Sequence, residues 1–141
     1  MKLVDTNVLL YAANSGAPYH LDSRGWLDAS LSRGDPVGFA WLALIGFIRI
    51  VTNPAITDQA LTRDNAMDTV DAWLSAPSAY VLEPGVRHAS LLREALRTSG
   101  GPNTVNDAHL AAIAREHAAT VVTFDADFAR FPGITCERPR R

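Results

Sequence analysis

The residues with the most chemistry to offer are acids set between apolar runs. The chain opens MKLVDTNVLLYAAN, with Asp5 between two segments that both favour burial. An unpartnered carboxylate in that position costs several kcal/mol, so Asp5 must either cap the helix that follows or hold a cation. Near the other end, NTVNDAHLAAIA places Asp107 at the start of a helical pattern, and TVVTFDADF places Asp125 and Asp127 after a β-forming run. Eleven of the fifteen acids are Asp, which is poor inside helices but good as a cap, turn former or metal ligand. Brought together, Asp5, Asp107, Asp125 and Asp127 would repel one another unless a cation sat between them. Their hard oxygens suit Mg²⁺ or Mn²⁺. Mg²⁺ with few protein ligands keeps several waters, and such a water can serve as the nucleophile in phosphodiester hydrolysis.

Each acid also has a plainer reading. Asp5 could cap the first helix. Thr104 and Asp107 have the spacing of a capping box, and FDADF could be an Asx turn with a cap. The neighbours Thr6, Asn7, Asn106 and Thr123 are polar. Asn7 is placed to orient Asp5. Thr123 precedes Asp125 by two, so in an extended strand both would point to one side. Its hydroxyl could hold a carboxylate or a phosphate, or it could serve as an ordinary β-former.

The elements that must position these acids alternate. Short strands are expected at 2–5, VGFA, AYVLEP and TVVTFD. Helices are expected from NVLLYAAN, 19–33, WLALIGFIRIVT, RDNAMDTVDAWLSA (capped by Thr62), GVRHASLLREALRTSG and DAHLAAIAREHA, with a short edge strand in ITCE and a solvated basic tail, RPRR. This is α/β patterning, with a mostly parallel central sheet of short strands covered on both faces. Ligands of such sheets collect beyond the carboxyl ends of the strands, and Asp5 and Asp125 fall at those ends.

Composition narrows the function. The chain has 141 residues, 48% apolar and 20% charged, with a net charge of −2. That supports one domain with a real core and argues against a general nucleic-acid-coating protein. One cysteine, Cys136, allows no internal disulfide or cysteine-based zinc site. No signal-peptide pattern and no run of about 18 apolar residues is present, so a cytoplasmic location without membrane association is expected.

The segments VDTNVLLYAAN, GFIRIVTNP and NDAHLAAIAREHAATVVTFDADFARFPGI, in this order, resemble the PIN-domain ribonucleases, and within them the toxin member of VapBC-type toxin–antitoxin pairs. The resemblance covers essentially the whole chain. It implies a single PIN-like domain over residues 1–141, a three-layer α/β/α sandwich and a Mg²⁺-dependent endoribonuclease site. The family's acids fall on Asp5, Asp107 and Asp125, with Asp127 an additional ligand or a supporting group. A metal-activated water would attack the RNA phosphodiester and leave 3′-hydroxyl and 5′-phosphate ends. The implied partners are the RNA substrate, a cognate small antitoxin protein and a second copy of the chain in a homodimer. One position departs from the family: where it usually carries Glu, three residues before an arginine, this chain has Gly46 before Arg49, which places a second metal site in doubt.

Two other readings stay open. A metal- or RNA-binding protein with a decayed site would explain Gly46. An acid-cluster phosphatase would explain the acids, although such enzymes commonly hold phosphate with a lysine and the only one here is Lys2. For backbone contacts to RNA, Arg87, Arg93, Arg97, Arg115 and Arg130 are the candidates. Trp26, Trp73 and the WLALIGFIRIV run carry enough large apolar surface for either the core or an interface.

Overall fold

Short apolar runs and longer amphipathic ones become five strands and six α-helices in the computed structural model, which describes residues 1–141. In chain order these are β1 (Lys2–Val4), α1 (Thr6–Ala13), α2 (His20–Arg33), β2 (Val37–Phe39), α3 (Trp41–Val51), α4 (Arg63–Leu74), β3 (Ala79–Val81), α5 (His88–Thr98), α6 (Val105–Glu116), β4 (Thr120–Val122) and β5 (Thr135–Glu137). Two 3₁₀ turns, Pro102–Thr104 and Ala126–Arg130, lead into α6 and follow β4.

The sheet has the order β3-β2-β1-β4-β5, and every pairing is parallel. The chain builds outward from β1 through β2 to β3, then returns to the other side of β1 for β4 and β5. The direction of winding therefore reverses between β1 and β4. A crevice opens at such a reversal, beyond the carboxyl ends of the two strands.

Both faces of the sheet are covered, which explains strands without polar alternation. Val4 and Val122 face a core shared with Val8, Leu9, Leu27, Phe39, Leu44, Phe47 and Trp73, beneath α1–α4. Leu3 and Val121, one residue earlier on each strand, face the opposite core with Leu82, Ala108, Ala111, Ile113 and Phe128, beneath α5 and α6. The three-layer α/β/α architecture follows from this alternation along strands of three residues. Trp26 and Trp73 are core residues, whereas Trp41 and Ile45 of α3 are 43% and 54% exposed. No helix is long and apolar enough to cross a membrane.

Three expectations need correction. The first strand ends at Val4, because the Asp5 side chain accepts from the Thr6 N–H and starts α1 at once. The last long strand ends at Val122, because the Thr123 hydroxyl accepts from the Asp125 N–H at 3.0 Å, so Thr123 and Asp125 are related by a turn and not by a strand repeat. The basic tail is not a free end. Pro139 is buried, the Arg138 guanidinium lies 5.2 Å and 5.0 Å from the Tyr19 and Phe124 ring centroids, and Arg141 approaches Asp22 at 3.4 Å.

Gly38 shows how closely the central strands are packed. A Cβ there would stand 2.6 Å from Leu82 Cδ1 and 3.2 Å from the Lys2 carbonyl oxygen. Gly38→Ala is expected to destabilise the protein by about 1–3 kcal/mol through overpacking. Adding Leu82→Ala should remove that penalty, because the cavity it creates receives the new methyl group. Urea unfolding of the two single variants and the double variant measures the coupling, and strict additivity would contradict this account.

Candidate functional site

The switch-point crevice is built from the residues that immediately follow β1 and β4. Asp5 has no slack on either side: its N–H donates to the Val122 carbonyl at 3.0 Å, and its carbonyl already accepts from Val8 in α1. Its carboxylate is therefore fixed by the fold, and its residue is only 9% exposed. Oδ1 accepts from the Thr6 N–H at 2.7 Å. Oδ2 accepts from the Thr123 hydroxyl at 2.7 Å and from Asn7 Nδ2 at 3.1 Å. Asn7 Oδ1 in turn accepts from the Phe124 N–H at 3.3 Å. Asp5 is thus a helix cap and the centre of a buried polar network at the same time.

Asp125 follows the same network. Its N–H donates to Thr123 Oγ1, and its Oδ1 accepts from the Asp127 N–H at 2.8 Å to cap the 3₁₀ turn. Asp107 comes from the first turn of α6. The capping box expected for it does not form, because the Thr104 hydroxyl donates back to the Gly101 carbonyl at 2.7 Å. The Asp107 carboxylate makes no hydrogen bond or ion pair within the chain.

Asp5, Asp107 and Asp125 line one cleft of about 410 Å³, together with Thr6, Asn7, Asn103 and Asn106. Its other wall is α3, through Leu42, Ile45, Gly46 and Arg49. Asp127 does not line this cleft; its carboxylate lies 3.4 Å from Arg130 in an exposed ion pair. Gly46 has a steric reason: a Cβ there would stand 3.1 Å from Thr6 Oγ1 and 3.2 Å from Thr6 Cγ2, so α1 and α3 are tightly packed at this point.

The cleft holds excess negative charge. Burial pushes the Asp5 carboxyl above the ordinary range, against the hydrogen bonds from Thr123 and Thr6, and the charge of Asp125 adds to the rise. Asp107 is pushed up to about 6, first by burial and then by the charges of Asp5, Asp125 and Asp127, with Arg130 opposing. The donor set is hard oxygen, which fits Mg²⁺ or Mn²⁺, and the cleft leaves room for water to complete a coordination shell. As they stand, no three Asp, Glu, His or Cys side chains close around a single point tightly enough to grip an ion.

Sequence reasoning singled out the three acids, Asn7, Thr123 and Arg49. It did not find Asn103, which the 3₁₀ turn before α6 delivers to the cleft, and no periodic pattern marks a turn of that kind. Of the arginines considered for RNA, Arg115 is paired with Glu94 at 2.9 Å and Arg130 with Asp127, while Arg87, Arg93 and Arg97 belong to the start and body of α5. None of these five lines the cleft.

Comparison with known proteins agrees with the architecture. Residues 2–134 match the PIN domain. The chain is 49% identical to ribonuclease VapC37 of Mycobacterium tuberculosis over 140 residues, covering 99% of this chain and 97% of that one. It is 37% identical to ribonuclease VapC25 of the same organism, covering 99% of each. Among solved structures, the fold is similar to VapBC2 from Rickettsia felis bound to a promoter DNA fragment, with TM-score 0.71, 17% identity and 98% of each chain covered. It is also similar to the sarcin–ricin-loop-cleaving toxin VapC20 of Mycobacterium tuberculosis, with TM-score 0.67, 19% identity, and 99% and 100% covered.

The charge on Asp107 sets a pH dependence for the metal-free protein. Its folded value of about 6 stands above its ordinary 3.8, so between those values the folded state binds more protons than the unfolded one. Stability from this group is therefore greatest below about pH 4 and is lost as pH rises through about 6. Asp107→Asn abolishes the titration. In EDTA, the variant should gain stability over the parent on going from pH 4.5 to 7.5, as read from urea midpoints. A constant difference across that range would show that the carboxylates do not couple.

Proposed function

The chain belongs to the PIN-domain family, with the VapC ribonucleases as its relatives, and on that premise we propose that it is a Mg²⁺-dependent endoribonuclease acting as the toxin of a toxin–antitoxin pair. The observation that carries this reading is the convergence of Asp5, Asp107 and Asp125 on one cleft at the switch point of a parallel sheet. We assign these three as the residues that hold the cation and serve catalysis, with Asp127 outside the cleft as a turn former. A bound divalent cation, Mg²⁺ or equally Mn²⁺, supplies the positive charge that lets a phosphodiester approach the acids and activates water for its hydrolysis.

The remaining groups have positioning work. The Thr123 hydroxyl and the Asn7 amide both donate to Asp5 Oδ2, which fixes the plane of that carboxylate, and Asp107, with no hydrogen bond of its own, would be another acid to hold the cation. Arg49, on the facing wall, offers a permanent cation to the RNA backbone beside the acids. Gly46 contributes no ligand, so the cleft is one carboxylate short on the α3 side and a single metal is favoured. The partners implied by this reading are an RNA substrate, a small antitoxin protein and a second copy of the chain. The VapBC2 complex, a toxin–antitoxin assembly on DNA, supports the antitoxin by its similarity of fold. Against the phosphatase reading stands the single lysine, Lys2, which is ion-paired with Glu137.

Mapping of RNA 5′ ends after incubation of a broad RNA pool with the protein tests the activity. Discrete new ends should appear with Mg²⁺ or Mn²⁺ and vanish with EDTA or in Asp125→Asn. Metal binding with no cleavage of any RNA would instead favour a decayed binding protein.

Asp5→Asn separates the cap from the ligand. Asn keeps the cap on the Thr6 N–H but sets an amide N–H2 against the Thr123 hydroxyl and the Asn7 amide, so the metal-free variant should melt somewhat below the parent. Mg²⁺ should raise its melting temperature less than the parent's, since linked stabilisation follows affinity, and cleavage should fall by orders of magnitude. Equal Mg²⁺ shifts with full cleavage would leave Asp5 as a cap alone.

A further inference from the structure

A second groove, of about 420 Å³, adjoins the acidic cleft and shares Ile45 and Arg49 with it. It runs between the end of α3 and the start of α4, and its seven lining residues include Arg49 and Arg63 but no acid. Neither arginine is in an ion pair: the chain's six salt bridges engage Lys2, Arg24, Arg33, Arg115, Arg130 and Arg141. Neither guanidinium donates a hydrogen bond within the chain, and both residues are exposed. The polar groups beside them are partly committed. The Thr52 hydroxyl donates to the Ile48 carbonyl at 2.7 Å, and Asn53 Oδ1 accepts from the Ala55 N–H at 3.0 Å, which leaves the Asn53 amide donors without a partner. The groove thus offers donors and positive charge with nothing in the chain to receive them.

We propose that this groove is a phosphate-backbone subsite for the RNA, with Arg49 and Arg63 each contacting a phosphate next to the one that lies over the carboxylates. The inference rests on the ribonuclease reading above. Its logic is electrostatic. A polyanion entering a cleft lined by Asp5, Asp107 and Asp125 meets repulsion at every phosphate that a cation does not screen. A strand held only at the metal would be pushed away by its own flanking phosphates. Two unpaired arginines at the rim, one of them on the shared wall, reverse the sign of the field where the strand leaves the acids. Arginine suits this role because its planar fork donates in pairs to phosphate oxygens. Contacts to the backbone carry no base information, so this groove sets the register of the strand and leaves sequence choice to other groups.

The test is the salt dependence of RNA binding. A labelled single-stranded RNA of mixed sequence is titrated with the full-length protein carrying Asp107→Asn, in Mg²⁺, over a range of KCl concentrations. Each phosphate contact contributes about 0.7 to the slope of log affinity against log salt for a single strand. Adding Arg63→Gln should therefore weaken binding and flatten the slope by about 0.7, and Arg49→Gln with Arg63→Gln by about twice that. Arg63→Lys, which keeps the charge, should retain the slope. Both side chains are exposed, and unchanged melting temperatures verify that each variant is folded. Parent binding with the same slope in the Gln variants overturns the subsite and leaves the ribonuclease reading intact; that is the result expected if the groove instead seats a protein partner. Failure of the Asp107→Asn protein and of the unsubstituted chain to bind any RNA overturns both.

Discussion

The hydroxyl of Thr123 ties together the two strand ends on which the site depends. It donates to Asp5 Oδ2 and accepts from the Asp125 N–H and from Asn7 Nδ2, so a single oxygen links the ends of β1 and β4 to the first turn of α1. A hydrogen bond to a carboxylate is stronger than one between neutral groups, and this one is buried. It lies where the winding of the sheet reverses, in the one crevice that no crossover connection has to cover. The same hydroxyl ends β4, since an oxygen that receives the Asp125 N–H bends the backbone out of the ladder. Sheet termination and orientation of the acid therefore meet at one hydroxyl, while the other oxygen of the same carboxylate caps α1.

The facing wall is shaped by a different constraint. α1 and α3 approach until the Thr6 side chain fills the space that a Cβ at residue 46 would need. A longer side chain at that position would have to displace Thr6, whose N–H caps against Asp5 and whose hydroxyl donates to the Ala43 carbonyl at 3.3 Å. The departure at Gly46 is thus coupled to the packing that holds Asp5. One turn further along the same helix, Arg49 is the first residue able to reach into the cleft with charge. Acids on the α1, α6 and β4 side therefore face a wall whose only charge is positive.

Much of this was legible from residue types. Alternating runs gave the layers, and acids at strand ends gave Asp5 and Asp125, because a carboxylate between buried segments has few physical excuses. Strand order was not legible: parallel strands of three residues carry no pairing signal, so the adjacency of β1 and β4 had to come from the structure. Nor did spacing reveal the Thr123 turn, since Thr in TVVTFD reads equally as a fourth strand residue. The α3 run is apolar all round, and periodicity cannot then say that Phe47 is inside and Ile45 outside. Arg63 is invisible for the opposite reason. An arginine at a helix start beside Asp64 looks like any solvated charge until the groove it lines proves to hold another arginine and no acid.

Asp107 shows how stability and the proposed chemistry trade against each other. It is the one carboxylate of the three with no donor of its own, half-buried and lifted to about 6 by burial and by its neighbours. A fold selected for stability alone would place an apolar or amide side chain there. On the proposed reading, a cation held among the acids would offset the repulsion from Asp5, Asp125 and Asp127 that lifts Asp107. Electrostatic strain in the metal-free cleft would then become affinity for the proposed cation, and the same excess charge is the reason a polyanion would need the unpaired arginines at the rim.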